Sequence, residues 1–186
     1  MDSIIAELTG AQALQVLRRL AAKHNDVSQA VIAEARLVLA AVDLHAVAQH
    51  ICLMLATPDF DDLNHRSGRT RYGYVDPVDA MYDIFTEQLD PFKDQLHTYR
   101  SLSMREEETA YLQGIILGLY TFEEKPQGEL ADWYTDMPFD TADELFQEWK
   151  THRGLTEADT EMKDFLYASC PRWADALCGP PVSIND

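Results

Sequence analysis

Apolar residues recur along this chain at spacings of three and four, between polar stretches that carry helix-start residues. After Thr9, the residues Leu14, Leu17, Leu20 and Ala21 fall on one face while Arg18, Arg19 and Lys23 fall off it, the pattern of an amphipathic helix. A second helix is predicted over 26–42, with Val31, Ala35, Val38 and Leu39 inward. A third runs from Asp43 as cap to just before Pro58. A fourth, over 76–99, uses Asp76 as cap and Pro77 in the first turn, where a missing N–H costs nothing. It places Met81, Ile84, Phe85, Leu89, Phe92 and Leu96 inward. Pro91 lies inside that pattern and predicts a kink or a fresh start capped by Asp90.

The segment 111–122 contains no charged residue. It is too short to cross a bilayer and predicts a buried helix. Gly114 and Gly118, four apart, would let a neighbouring backbone come close. Pro126 and Gly128 end this helix. A sixth is predicted over 140–152 with Leu145, Phe146 and Trp149 inward, and a seventh from near Thr156 gathers Met162, Phe165 and Leu166. Capping-box spacings at Thr9/Gln12, Ser103/Glu106 and Thr141/Glu144 mark helix starts, with Asp26/Gln29 and Thr156/Asp159 as looser versions. No stretch alternates with period two between turn signals. The predicted fold is therefore all-α, an antiparallel helical bundle or helix-hairpin array of about six to eight helices. It forms a single domain over 1–178, with a subdivision near 57 left open. Gly179-Pro180-Pro181 opens a mobile tail over 179–186.

Charge changes the picture more than composition does. The 186 residues carry a net charge of -17, and residues 1–56 hold only 5 acids and 4 bases of it. The acidic remainder repels phosphate backbones at long range. It predicts a basic or mixed-charge protein partner and no nucleic acid. No apolar run of ~18 residues exists, so no membrane span is expected, and the acidic N-terminus lacks the basic region of a signal peptide. Three widely spaced cysteines offer neither a disulfide framework nor a zinc motif, which makes a reducing cytoplasm the expected location. Oligomeric state is open at this level.

The candidate chemistry sits in a loop predicted over 62–75. There Arg66, Arg69 and Arg71 are interleaved with Ser67, Gly68, Thr70, Tyr72, Gly73 and Tyr74 directly before a helix start. Guanidinium forks at such a place hold a phosphate or carboxylate, or else pair internally with Asp and Glu to pin the loop. Beside it, Asp76, Asp79, Asp83, Glu87, Asp90 and Asp94 recur at steps of three or four, either a solvated face or a docking surface. The candidate binding residues are Arg66, Arg69, Arg71, Tyr72, Tyr74, Asp79, Asp83 and Glu87, facing a groove between loop and helix. Arg and Tyr are the common anchors of interfaces.

No catalytic residue, cofactor or metal is predicted. Asp62/His65 and Asp94/His97 are three apart, but a di-iron bundle needs Glu-x-x-His on two helices, and His45 and His50 share no face. Neither a Gly-x-Ser-x-Gly elbow nor a P-loop nor a dinucleotide fingerprint occurs. Cys52 reads as a small buried hydrophobe. Cys170 and Cys178 flank Trp173 near the end as exposable thiols without a neighbouring base. Trp133, Trp149 and Trp173 read as core plugs or interface anchors, and Glu106, Glu107 and Glu108 as first-turn charges that suit the helix dipole.

The stretch Arg66-Ser67-Gly68-Arg69-Thr70-Arg71-Tyr72-Gly73-Tyr74-Val75-Asp76-Pro77 resembles a segment of uncharacterised prokaryotic α-helical proteins. The resemblance continues through Pro91-Phe92 and Gly114-Ile115-Ile116-Leu117-Gly118, over residues 57–150. It implies helical hairpins of a repeat-like kind and no particular activity. The expected function is a protein-interaction or scaffold module that uses the Arg/Tyr loop beside the acidic helix. The alternatives are an enzyme or sensor holding a small anionic ligand on those Arg, and an acidic mimic of DNA charge.

Overall fold

The computed structural model describes residues 3–71 and 73–179; Tyr72 and the expected tail from 180 onward lie outside the described residues. Helices dominate, and the chain divides into two compact units, Met1–Val42 and Asp43–Asp186.

The first unit holds α1 (Ser3–Ala6), α2 (Gly10–Lys23) and α3 (Asn25–Ala40). The capping box at Thr9 forms: its hydroxyl accepts from the Gln12 amide, while the Gln12 side chain accepts from the Thr9 amide at 2.9 Å. A single extended residue, His24, joins α2 to α3. The predicted inward faces are only partly covered: Ala21, Val31 and Leu39 are half-buried. Leu14, Leu17 and Leu20 remain 47%, 43% and 41% exposed, Ala35 is exposed, and Val38 is 75% exposed. Two short helices offer each other one line of contact. The amphipathic period therefore specifies the helix without burying its whole apolar arc.

The second unit is built around one helix. Its elements are α4 (Leu44–Ala56), α5 (Phe60–Arg66), β1 (Gly68–Thr70), β2 (Gly73–Val75), α6 (Pro77–Ser101), α7 (Arg105–Glu124), a 3-10 turn (Ala131–Trp133), α8 (Met137–Arg153), α9 (Thr160–Ser169) and α10 (Pro171–Cys178). The charge-free stretch lies in α7, where Leu112, Ile115, Ile116, Leu119 and Phe122 are all buried. A Cβ added at Gly114 would sit 2.8 Å from Val47 Cβ, and one at Gly118 would sit 2.9 Å from the Ala48 carbonyl oxygen. The two glycines thus seat α7 directly on the α4 backbone. Gly114 meets Leu44 and Val47, and Gly118 meets Ala48 and Ile51, so α4 and α7 run parallel. The expectation of antiparallel neighbours concerns successive helices and does not reach this pair, since α5, the ribbon and α6 carry the chain back between them. It holds for α6 and α7, which a short turn joins: Arg100 meets Glu108 and the Tyr99 ring lies 5.4 Å from that of Tyr111.

Several local expectations are corrected. The 62–75 segment is not a loop. Its first residues belong to α5, capped by Asp59 and Asp62, and the rest is a two-stranded antiparallel ribbon. Strands of three residues are too short to show an alternation, so the ribbon was invisible to periodicity. Of the two outcomes expected at Pro91, the fresh start capped by Asp90 does not occur: α6 runs as one helix from Pro77 to Ser101 with Pro91 inside it. Pro91 costs the Glu87 carbonyl its helical partner, but Phe85, Leu89, Phe92 and Leu96 form one buried stripe across it, and that packing outweighs one lost bond. Ser103 is a turn residue at φ 56, and Met104 starts α7 with no side-chain cap. Thr141 lies inside α8, which starts earlier at Met137. Helix α10 was not foreseen. It buries Trp173 and leaves Cys170 at its N-terminus with no exposure, against the expectation of an accessible thiol. Trp149 is a core plug as expected, while Trp133 is exposed.

Candidate functional site

The ribbon sets the site. Gly68 pairs with Val75, Arg69 with Tyr74 and Thr70 with Gly73. Gly73 has φ 139, a conformation that favours glycine and brings the second strand back into register. Because Arg69 and Tyr74 are direct cross-strand partners, their side chains leave the same face of the ribbon. Tyr74 is 70% exposed.

The ribbon leads straight into α6. Asp76 is its N-cap, accepting from the Val78 amide at 2.9 Å. Two rows then run up the exposed side of α6 at i,i+4 spacing. Val78 and Tyr82 form one, with Tyr82 58% exposed, and Asp79, Asp83 and Glu87 form the other. Arg66, at the C-terminal end of α5, donates from Nη1 to Glu87 Oε2 at 2.5 Å, so one cation of the cluster fastens α5 to the middle of α6. Asp79, Asp83, Arg69 and Arg71 are exposed. The structure therefore brings Arg66 and Glu87 together, and lines Tyr74 up with Arg69. It puts Asp79 and Asp83 on the neighbouring helix face. Tyr72 lies outside the described residues.

Two of the groups an anion would use are already engaged. The α6 N-terminus is occupied by the Asp76 carboxylate, and the Arg66 guanidinium by Glu87. Among the described residues, no three His, Cys, Asp or Glu side chains converge to hold a metal ion. Burial raises the Cys52 thiol above its ordinary value despite a backbone hydrogen bond, raises Cys178, and pushes Cys170 up to about 12. None of the three is poised as a thiolate nucleophile.

Two arrangements escaped sequence reasoning. The first is an ion cluster at the α6–α7–α8 junction. Glu108 is only 1% exposed and accepts from Arg100 Nε at 3.0 Å, while Arg100 Nη1 lies 3.6 Å from Glu148. Arg153 donates to the Arg105 carbonyl and to Thr109 Oγ1, and its guanidinium covers the Trp149 ring at 4.9 Å. A signal existed, since Glu108 is in helical phase with Leu112, Ile115 and Leu119, the buried stripe of α7. The second is a cleft of about 410 Å³ between α4 and α7, lined by His45, Gln49, Cys52, Leu117, Phe122 and Lys125 among others, with no Asp or Glu. Cys52 Sγ donates there to the Gly118 carbonyl at 3.4 Å. No periodicity marks a cleft formed by helices 60 positions apart in sequence, because it exists only once they pack.

No family model, curated protein or solved structure compared with the chain matches it.

Proposed function

We propose that residues 43–179 act as a protein-interaction module whose contact surface is the ribbon and the adjoining exposed side of α6. The observation that carries this reading is the exposure of Tyr74 and Tyr82 beside Arg69, Asp79 and Asp83, on a ribbon that the Arg66–Glu87 pair and the Asp76 cap tie to a long helix. Rigid aromatic side chains presented with a guanidinium are the composition of an interface centre. The acidic row favours a basic or mixed-charge partner through steering rather than raw affinity. No single helix among the described residues is long and apolar enough to cross a membrane. A cytoplasmic setting is part of the proposal, supported by three cysteines that are all unpaired.

The test compares partner sets. Full-length chain carrying Arg69→Ala with Tyr74→Ala, or Asp79→Lys with Asp83→Lys, is used as bait beside the wild type. Leu102→Glu, an exposed position at the opposite end of α6, serves as control. Specific partners should be lost with both double variants and kept with the control. An unchanged partner set, with circular dichroism showing intact helix, overturns the reading.

One observation favours a second reading. The α4–α7 cleft is free of acids in a unit that carries 28 acids against 11 bases, and Lys125 lines it beside the apolar Leu117 and Phe122. Its volume suits a small ligand with an apolar body and an anionic end. Thermal-shift measurements with fatty and aromatic carboxylates test this, since any ligand of the native state raises Tm with concentration. A shift abolished by Lys125→Ala supports it, and flat curves for every carboxylate dismiss it.

A further inference from the structure

The α4–α7 cleft has a direction and two unlike ends. On α4 it is lined by the row His45, Gln49, Cys52 and Ala56, and on α7 by the row Leu117, Thr121 and Lys125, each row at the three- and four-residue spacing of one helix face. The helices run parallel, with Gly114 against Val47, Gly118 against Ala48 and Gly128 against Ala56. His45 therefore stands at one end of the cleft, and Lys125, close to the level of Ala56, at the other. From His45 to Ala56 the helix advances about 16 Å, at about 1.5 Å per residue. Between the ends lie Ala48, Cys52, Leu53, Leu117 and Phe122, with Thr121 adding one hydroxyl. The Cys52 thiol is already donated to the Gly118 carbonyl.

Charge separates the ends. Lys125 follows Glu123 and Glu124, but Arg172 takes both of these, and Glu129 accepts from the Phe60 amide. Arg66, Lys93, Arg100 and Lys163 also have carboxylate partners, whereas Lys125 makes no ion pair among the described residues. A lysine left without a counter-ion in a unit of 28 acids, at the end of a cleft that holds none, is a place for an external anion. At the other end, His45 and Gln49 each give and take hydrogen bonds. Asp43 caps α4 two residues before His45, and its charge opposes a second anion there. A neutral hydroxyl is the group that suits this end.

We propose that the cleft takes a linear ω-hydroxy carboxylate, with its carboxylate on Lys125, its chain along Phe122 and Leu117, and its hydroxyl on His45 and Gln49. Three bonds of extended chain reach roughly 3.6 Å, so about twelve carbons with their two polar ends match the length of the cleft. This assignment rests on the carboxylate reading above and adds the shape of the molecule and the group at its far end. Full-length protein is titrated by calorimetry and thermal shift with dodecanoate, its ω-hydroxy derivative, dodecanedioate and naphthoate, all below micelle formation. The hydroxy acid should bind about fivefold tighter than dodecanoate, the gain of one neutral hydrogen bond, and dodecanedioate no tighter than dodecanoate. His45→Ala with Gln49→Ala should bring the Kd values of dodecanoate and its hydroxy derivative together, with the helical circular dichroism unchanged. Lys125→Ala should weaken every carboxylate by about tenfold or more. Equal Kd values in the wild type overturn the inference and leave the carboxylate reading standing. So does a preference for the hydroxy acid that survives the double variant, or tightest binding by dodecanedioate or naphthoate. Flat curves for every compound, or binding indifferent to Lys125→Ala, end both.

Discussion

Gly118→Ala tests the close seating of α7 on α4. On an exposed helix the change would stabilise by up to ~1 kcal/mol, because alanine is the better helix former. Here the added Cβ would stand 2.9 Å from the Ala48 carbonyl oxygen, 2.9 Å from Ile51 Cβ and 3.0 Å from Ala48 Cα. Two of these neighbours are backbone, so no rotamer change relieves the contact and α4 must move away bodily. Overpacking of this kind costs about 1–3 kcal/mol, and with backbone on two sides the cost falls in the upper part of that range, for a net loss of up to roughly 2 kcal/mol after the propensity gain. At about 2–4 °C per kcal/mol for a chain of this size, Tm should fall by a few degrees. Urea and thermal unfolding followed by far-ultraviolet circular dichroism measure it. Gly10→Ala, where a Cβ meets nothing within 4 Å, should cause no loss. A Gly118→Ala protein as stable as the wild type, or more so, would refute the argument that backbone proximity decides this seam.

Arg100→Ala should destabilise by about 3–5 kcal/mol, because it strands the buried Glu108 carboxylate. Adding Glu108→Leu should recover most of that loss in the same unfolding assay. Tyr134 is fully buried, and its hydroxyl has no hydrogen-bond partner among the described residues. Burial, with a smaller contribution from the Asp62 charge, pushes its pKa from the ordinary 10 up to about 12. A raised folded value means the stabilisation is complete below pH 10 and is lost as pH climbs toward 12, at up to about 1.4 kcal/mol per unit. Tyr134→Phe should therefore be neutral or stabilising at pH 7 and flatten the alkaline slope, read by unfolding at pH 9 and 11. Glu87→Gln should cost no more than ~1 kcal/mol, since its pair with Arg66 is solvent-exposed, and a large drop in Tm would assign that pair a role in the core it does not have here.

Much of the fold was legible because its signals are local. Asp43 and Asp76 cap the helices expected of them, and the charge-free stretch became the central buried helix. The candidate site was half legible. The sequence flagged Arg66, Arg69 and Arg71 as one cluster, yet Arg66 is fastened to Glu87 twenty-one positions away, and no spacing rule selects that acid over Asp83 or Asp90. Likewise, Cys170 looked accessible in a Pro-rich ending, whereas α10 buries it against the body.

Helix positions, their caps and the uneven charge follow from the sequence alone, because capping, periodicity and Coulomb repulsion act over a few residues or on sums. Tertiary structure decided the parallel seating of α4 on α7, the acid-free cleft between them, the Arg100–Glu108 pair and the partial exposure of the apolar residues of α2 and α3. Each depends on which surfaces meet across distant chain segments, and that is set by shape and backbone proximity rather than by any pattern along the chain.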